Sequence, residues 1–208
     1  MSIGMLGTKI GMTQIFDKNG SAVPVTVIQA GPCPVTEIKT LDKHGYSAIQ
    51  VGYLNITSKT INKPLKRYFE KKDLSPLKYL KEYKITHASE NTYKIGDLLT
   101  VENFSPAQLV NVSGITIGKG FSGYQKRHNF SRGPMSHGSK SHRTPGSIGA
   151  GTTPGRVIPG TRMAGQLGGK KVSINKLRIV EIDAENHILV LKGSIPGKSY
   201  SIVSVTLS

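Results

Sequence analysis

Apolar and polar residues alternate in short runs over much of the chain. Such runs, separated by Gly, Pro, Asn or Asp every 8–12 residues, predict antiparallel strands that close, or nearly close, into a small barrel. The predicted strands cover residues 22–30, 35–41, 47–54, 97–102, 109–117, 176–183, 187–193 and 200–207. The barrel core is therefore assigned to residues 1–60, 95–117 and 172–208, so we predict a mainly β fold. Val190 is expected to be a core position whose polar replacement unfolds the barrel.

Residues 61–94 have a different pattern, rich in Lys, Leu and Tyr. Pro64 and Pro76 stand where proline is favoured, at the first position of a helix. We predict a small, partly helical insert in the barrel.

The strand pattern is absent from residues 118–171, which contain thirteen glycines, four prolines and ten Lys or Arg residues. A loop of more than about 15 residues without secondary structure is uncommon in a compact domain unless it is functional or disordered. This composition predicts a long, irregular, basic extension that becomes ordered on a partner.

Charge identifies the class of that partner. The chain has 28 Lys plus Arg and 12 Asp plus Glu, a net charge of +16, yet residues 103–180 hold 12 basic residues and no acidic one. Such a stretch repels itself unless phosphates or other anions supply the opposite charge. Aromatic and histidine rings stand between the cations, which suits stacking on bases and sugars. A nucleic acid, and RNA in particular, is the expected partner.

Two glycine motifs allow other interpretations. Residues 118–123 match GxGxxG, but a dinucleotide site needs a helix at the third glycine and an acidic residue about 20 positions later. The next acid is Glu181, and residues 125–129 do not form an amphipathic pattern. Residues 193–199 resemble a phosphate-binding loop with one residue too few, followed by a β-like segment, so a hairpin turn is the favoured interpretation.

Catalytic and metal chemistry find no support in the sequence. His128, His137 and His142 cluster locally, but no Cys, Asp or Glu accompanies them, so a metal site is disfavoured. No Ser-His-Asp or Cys-His spacing is evident. The single cysteine, Cys33, is expected to be a small buried or semi-buried side chain in a reducing compartment. No run of about 18 apolar residues could span a membrane. We expect neither an enzyme nor a cofactor.

Several motifs resemble the large-subunit ribosomal protein L-three family. They are GMLGTKIGMTQIF at 4–16, VSG at 112–114, FSGYQKRHNF at 121–130, SHG at 136–138, HRTPGSIG at 142–149 and MAGQLG at 163–168. The likeness runs in order from residue 1 to about residue 200.

This resemblance implies a translation-factor-like barrel on the outside of the large subunit. It implies that the extension threads through 23S-type rRNA towards the peptidyl transferase centre, in a protein that joins the subunit early in assembly. The ribosomal proteins L-fourteen and L-nineteen are the implied neighbours, with no membrane and no homo-oligomer. Together with the ring and cation pattern, the motifs give a set of predicted rRNA contacts: Lys119, Phe121, Tyr124, Lys126, Arg127, His128, Arg132, His137, Lys140, His142, Arg143, Arg156, Arg162, Lys170 and Lys171.

One position departs from the bacterial pattern. Many bacterial members carry a methylated Gln directly after the Gly-Ser-Ile-Gly run, and this chain has Ala150 there. The wording AGTTPG at 150–155 looks more like cyanobacterial or plastid members. Lys outnumbers Arg by 21 to 7, which fits an AT-rich genome. The chloroplast stroma is the first expected location and the bacterial cytoplasm the second.

Two other functions remain as alternatives. A sequence-neutral DNA-compacting protein would insert the basic arm into duplex grooves and would bind DNA as well as rRNA. An RNA-modifying enzyme would use the barrel as a platform and would lose turnover when a particular carboxylate is removed.

Overall fold

The computed structural model describes residues 4–57, 60–85 and 93–208. It is mainly β with antiparallel pairing, as predicted. The strands are β1 Met5–Phe16, β2 Ala22–Ala30, β3 Cys33–Lys39, β4 Ala48–Asn55, β5 Leu77–Lys84, β6 Leu98–Leu99, β7 Leu109–Ile115, β8 Phe121–Ser122, β9 Gly165–Gln166, β10 Lys171–Asp183, β11 Ile188–Lys192 and β12 Ile202–Leu207. The helices are α1 Leu41–His44, α2 Lys63–Glu70 and α3 Tyr124–His128, with a 3₁₀ turn at Val101–Asn103.

The chain forms two compact units. The first, the core unit, comprises Met1–Ile115 and Lys171–Ser208, and the second, the extension, comprises Thr116–Lys170. In the core unit six strands close into a barrel in the order β1-β12-β7-β10-β11-β2. Side chains such as Ile28, Val112 and Val205 are fully buried inside it. Their alternation with more exposed neighbours is the period-two pattern of strands with one buried face.

Strands β3 and β4 lie outside the barrel, although the sequence pattern assigned them to it. They belong to a second sheet in the order β5-β4-β3-β6, with Val35 opposite Val51 and Cys33 opposite Leu99. Alternation shows which face of a strand is buried but not which strand it pairs with, so the division into two sheets could not be read from it. The same sheet buries Cys33, whose thiol donates to the Leu6 carbonyl at 3.3 Å, and burial raises the pKa of that thiol to about 12.

The described residues of the predicted insert form one helix followed by one strand, so this part is helical in part, as predicted. Helix α2 carries Pro64 in its first turn, as expected, and anchors itself through the buried Phe69. Pro76, by contrast, precedes strand β5, which pairs antiparallel with β4. Residues 86–92 of the insert lie outside the described residues.

Val190 is not a core residue. In β11 the fully buried side chains are Leu189 and Leu191, and Val190 between them is partly exposed on the other face of the strand. Strand residues alternate between faces, so an error of one position reverses the assignment.

We expect Leu189→Ala to lower the free energy of unfolding by about 2–4 kcal/mol, because it removes buried methyl groups and leaves a cavity. Val190→Ala should cost less than about 1.5 kcal/mol, because its side chain already contacts water in part. Urea denaturation of the full chain measures both. Equal losses of unfolding free energy in the two variants would contradict the assignment of Leu189, and not Val190, to the buried face of β11.

The segment at 193–199 is not a hairpin turn, because the strands it joins, β11 and β12, are not neighbours in the barrel. The segment is bonded to the barrel by Lys9, a buried side chain of β1. The ammonium of Lys9 donates to the carbonyls of Ile195 and Gly197 at 3.1 and 3.0 Å.

Lys9→Met should destabilise the core unit by about 2–3 kcal/mol, since charge-assisted hydrogen bonds are lost and carbonyl groups lose their partner. Lys192→Met, at an exposed position at the end of β11, is the matched control and should change the denaturation midpoint little. A loss no greater than that of the control would show that Lys9 does not hold the segment.

Candidate nucleic-acid interface

The two ends of the extension pair with each other through backbone hydrogen bonds. Thr116 N–H donates to the Lys170 carbonyl at 3.0 Å, and Lys119 N–H donates to the Leu167 carbonyl at 2.8 Å. Beyond them β8 and β9 pair, with Phe121 opposite Gln166. Gly168 has a φ of +70° and contacts the Ile117 carbonyl so closely that a Cβ would overlap it. Only glycine fits there.

Helix α3 follows β8 directly. It is a single short helix, five residues long, in a stretch where the sequence indicated none. It ends at Asn129, whose φ of 58° is left-handed and whose N–H donates to the Gln125 carbonyl at 2.9 Å. Gly123 therefore does precede a helix, but no acidic residue exists in the extension to hold a ribose hydroxyl. The presence of this helix therefore does not support a dinucleotide-binding site.

Side chains of α3 tie distant parts of the extension together. The Arg127 guanidinium and the His128 imidazole Nε2–H both donate to the Met163 carbonyl, the latter at 2.9 Å. Gln125 Nε2 donates to the His142 carbonyl at 2.8 Å. Gln125 was not among the predicted contacts, because nothing in its sequence position shows that it bonds to a residue 17 positions away.

Aromatic rings cluster beside this helix. The rings of Tyr124 and Phe130 are stacked with centroids 5.8 Å apart, and His128 lies 5.8 Å from Phe130. Phe130 was missing from the predicted contact set, although its place among the rings and cations of the motif was a usable signal. Phe121 stands apart from them with 79% of its surface exposed, a ring available for stacking on a base.

The predicted cations fall into two groups. Arg127 is partly buried and bonded within the extension. The others are exposed: Lys119, Lys126, Arg132, Lys140, Arg143, Arg156, Arg162 and Lys170. His137 is exposed and His142 partly buried, with no hydrogen-bond partner for its Nδ1. Lys171, also exposed, is the first residue of β10 and so belongs to the core unit.

The extension has no apolar core. Its residues are all described, and Ser122 is the only one of them classed as buried, while Ile117, Met135 and Ile158 are more than half exposed. It also contains no carboxylate. A segment of this kind presents backbone, rings and unneutralised cations together, which is the set of groups that binds a phosphate backbone and its bases.

No group of three potential metal-binding side chains was found among residues 4–57, 60–85 and 93–208. In the same part of the chain, no helix is long and apolar enough to cross a membrane.

Comparison with known proteins assigns the family. Residues 83–188 match the family described as ribosomal protein L3. The chain is 55% identical over its whole length to the large ribosomal subunit protein uL3c of Phaeodactylum tricornutum, all of which is covered. It is 56% identical to uL3c of Porphyra purpurea, with 99% of this chain and 100% of the relative covered, and 55% identical to uL3 of Acaryochloris marina, with 99% and 96% covered. The resemblance carried by the motifs is thus confirmed, and the chain belongs to the ribosomal protein L3 family.

Proposed function

We propose that the protein is a structural constituent of the large ribosomal subunit and binds 23S-type rRNA through its extension. The observation that carries this proposal is the extension itself, which holds nine Lys or Arg residues at 116–170, no carboxylate and no buried apolar side chain. Ordering a residue costs about 1–2 kcal/mol in conformational entropy. With little apolar burial to offset that cost, contacts with an anionic partner supply the missing stabilisation.

The two groups of cations take different roles in this proposal. The exposed ones, such as Arg143, Arg156 and Arg162, bind phosphates directly. Arg127 and His128 donate to the Met163 carbonyl and so hold α3 in place. This fixes the position of the stacked Tyr124 and Phe130 rings. The full proposed contact set is the one predicted from the sequence, with Phe130 added.

The finer parts of the proposal rest on the family motifs and on the named relatives. The motifs support an early role in subunit assembly, a path of the extension towards the peptidyl transferase centre, and L-fourteen and L-nineteen proteins as neighbours. The uL3c relatives from an alga and a diatom support a plastid ribosome, and hence the chloroplast stroma. The cyanobacterial relative keeps a bacterial ribosome as the alternative.

We expect the full chain to sediment with the large subunit in a high-salt gradient, whereas a variant lacking 118–170 is released. A Gly-Ser linker replacing the deleted residues keeps β7 and β10 joined. The thermal melt of the core unit should be unchanged by the deletion, because the extension contributes no core residue. A full chain that stays free at the top of the gradient would refute the ribosomal proposal.

Salt dependence tests the charge mechanism. If about 8 phosphates are contacted, the logarithm of rRNA affinity should fall with the logarithm of salt at a slope near −6, taking ~0.7 per contact. Arg143→Ala should reduce the magnitude of that slope by about 0.7 and leave the melting temperature unchanged.

Lys18→Ala, in the turn after β1, is the control for loss of a cation outside the extension. A slope near zero for the parent chain contradicts the mechanism. Equal affinity for duplex DNA and for rRNA would instead favour the DNA-compacting alternative.

A further inference from the structure

Strand β5 carries a lysine at a position where its pattern calls for an apolar residue. Leu77, Tyr79, Lys81 and Tyr83 share one face of the strand, and Leu77 and Tyr83 are buried. Lys78 and Lys84 lie on the opposite face and are exposed. Lys81 therefore directs a charged group towards the inner side of the sheet.

Lys81 lines a cleft within the core unit. The cleft has a volume of about 330 Å³ and is lined by residues of β5, β7, β10 and β12, with Leu6 of β1. Its lining is mostly apolar, with Tyr79, Ile115 and Ile202 among the side chains. The cations among its lining residues are Lys81 and Lys171, the hydroxyl-bearing residues are Tyr79, Ser113 and Ser204, and no lining residue carries a carboxylate.

Neither lysine of the cleft has an anionic partner among the residues that the structure describes. The ion pairs among the described residues are Lys39–Glu82, His44–Glu37, Lys66–Glu70 and Lys72–Glu37, none of which includes Lys81 or Lys171. The ammonium of Lys81 lies 5.1 Å from the centre of the Tyr83 ring. Burial, and then repulsion by Lys171, lower the pKa of Lys81 to about 8.

A neighbouring residue shows the contrast. Glu82, on the other face of β5, pairs with Lys39 at 2.8 Å, and that hydrogen bond raises the pKa of Lys39. Strand β5 thus provides a carboxylate for Lys39 of β3 and none for its own Lys81. A half-buried ammonium without a partner is unfavourable, and a bound anion would remove that cost.

We propose that this cleft binds one phosphate group of the RNA backbone, between the ammonium groups of Lys81 and Lys171. The inference rests on the proposed function, since it takes rRNA as the partner, but it places a contact outside the extension. The Ser113 hydroxyl, now bonded to Ser173 at 2.8 Å, can donate to the same phosphate, and the apolar lining packs against the ribose. An apolar protein side chain fits the charges less well, because it would bury both ammonium groups without a counterion.

The test compares Lys81→Met and Lys171→Met with Lys84→Met in the full chain. Met keeps most of the aliphatic volume and removes the charge, and Lys84 is the matched control because it lies on the outer face of the same strand. Binding to large-subunit rRNA is measured over a range of salt. Each cleft variant should bind about five- to tenfold more weakly and lower the magnitude of the salt slope by about 0.7, and the control should change little.

A second measurement uses the wild-type chain and so does not depend on whether the variants fold. Acylation of each lysine in the wild-type chain, read by mass spectrometry, should show Lys81 protected at least fivefold by rRNA. If wild type binds rRNA but the cleft variants bind equally well, or Lys81 stays reactive in the complex, the phosphate site is wrong and the proposed function stands. If wild type does not bind rRNA at all, both fail.

Discussion

The antiparallel pairing of β7 with β10 is the constraint on which both units depend. Ile115 and Lys171 are register partners, so the chain leaves the barrel and returns to it at adjacent backbone positions. Loop-closure entropy grows only slowly with loop length, so a long excursion between two paired strands costs the fold little. The same two strands are neighbours in the closed barrel, and losing their pairing would open the barrel and free both ends of the extension together.

The two units handle charge in opposite ways. In the core unit lysines form ion pairs with carboxylates, as in Lys39–Glu82 and Lys72–Glu37, and the buried ammonium of Lys9 donates to backbone carbonyls. The extension is held by backbone hydrogen bonds, by glycines in left-handed conformations and by the contacts that converge on the Met163 carbonyl. Because few of its cations are used internally, most of its charge remains available to a partner. In the proposed function this charge binds RNA phosphates, and the contacts within the extension leave most of it unneutralised.

Most strands could be assigned from the local alternation of apolar and polar residues. The features that the sequence did not predict depend on pairing between residues far apart in the chain. Strand β2 covers the range that alternation predicts and β12 falls close to its predicted range, whereas β10 begins at Lys171, before the predicted start at Lys176. The second sheet could not be anticipated, since partners such as Cys33 and Leu99 are far apart in sequence. The basic segment without acidic residues could be recognised in the sequence, whereas the hydrogen bond from Gln125 to the His142 carbonyl requires the tertiary structure. The sequence alone shows that Lys81 is a charged residue at an apolar position of its strand. Its proximity to Lys171, ninety positions later, requires the fold.

The buried thiol of Cys33 has a practical consequence. It is fully enclosed, and its pKa of about 12 keeps it as an unreactive thiol near neutral pH, because the thiolate is the nucleophile. The chain contains no other cysteine. A cysteine introduced at an exposed site of the extension would therefore be the single group open to maleimide dyes or spin labels. Distances between the extension and labelled RNA can thus be measured in the chain with its native cysteine left in place.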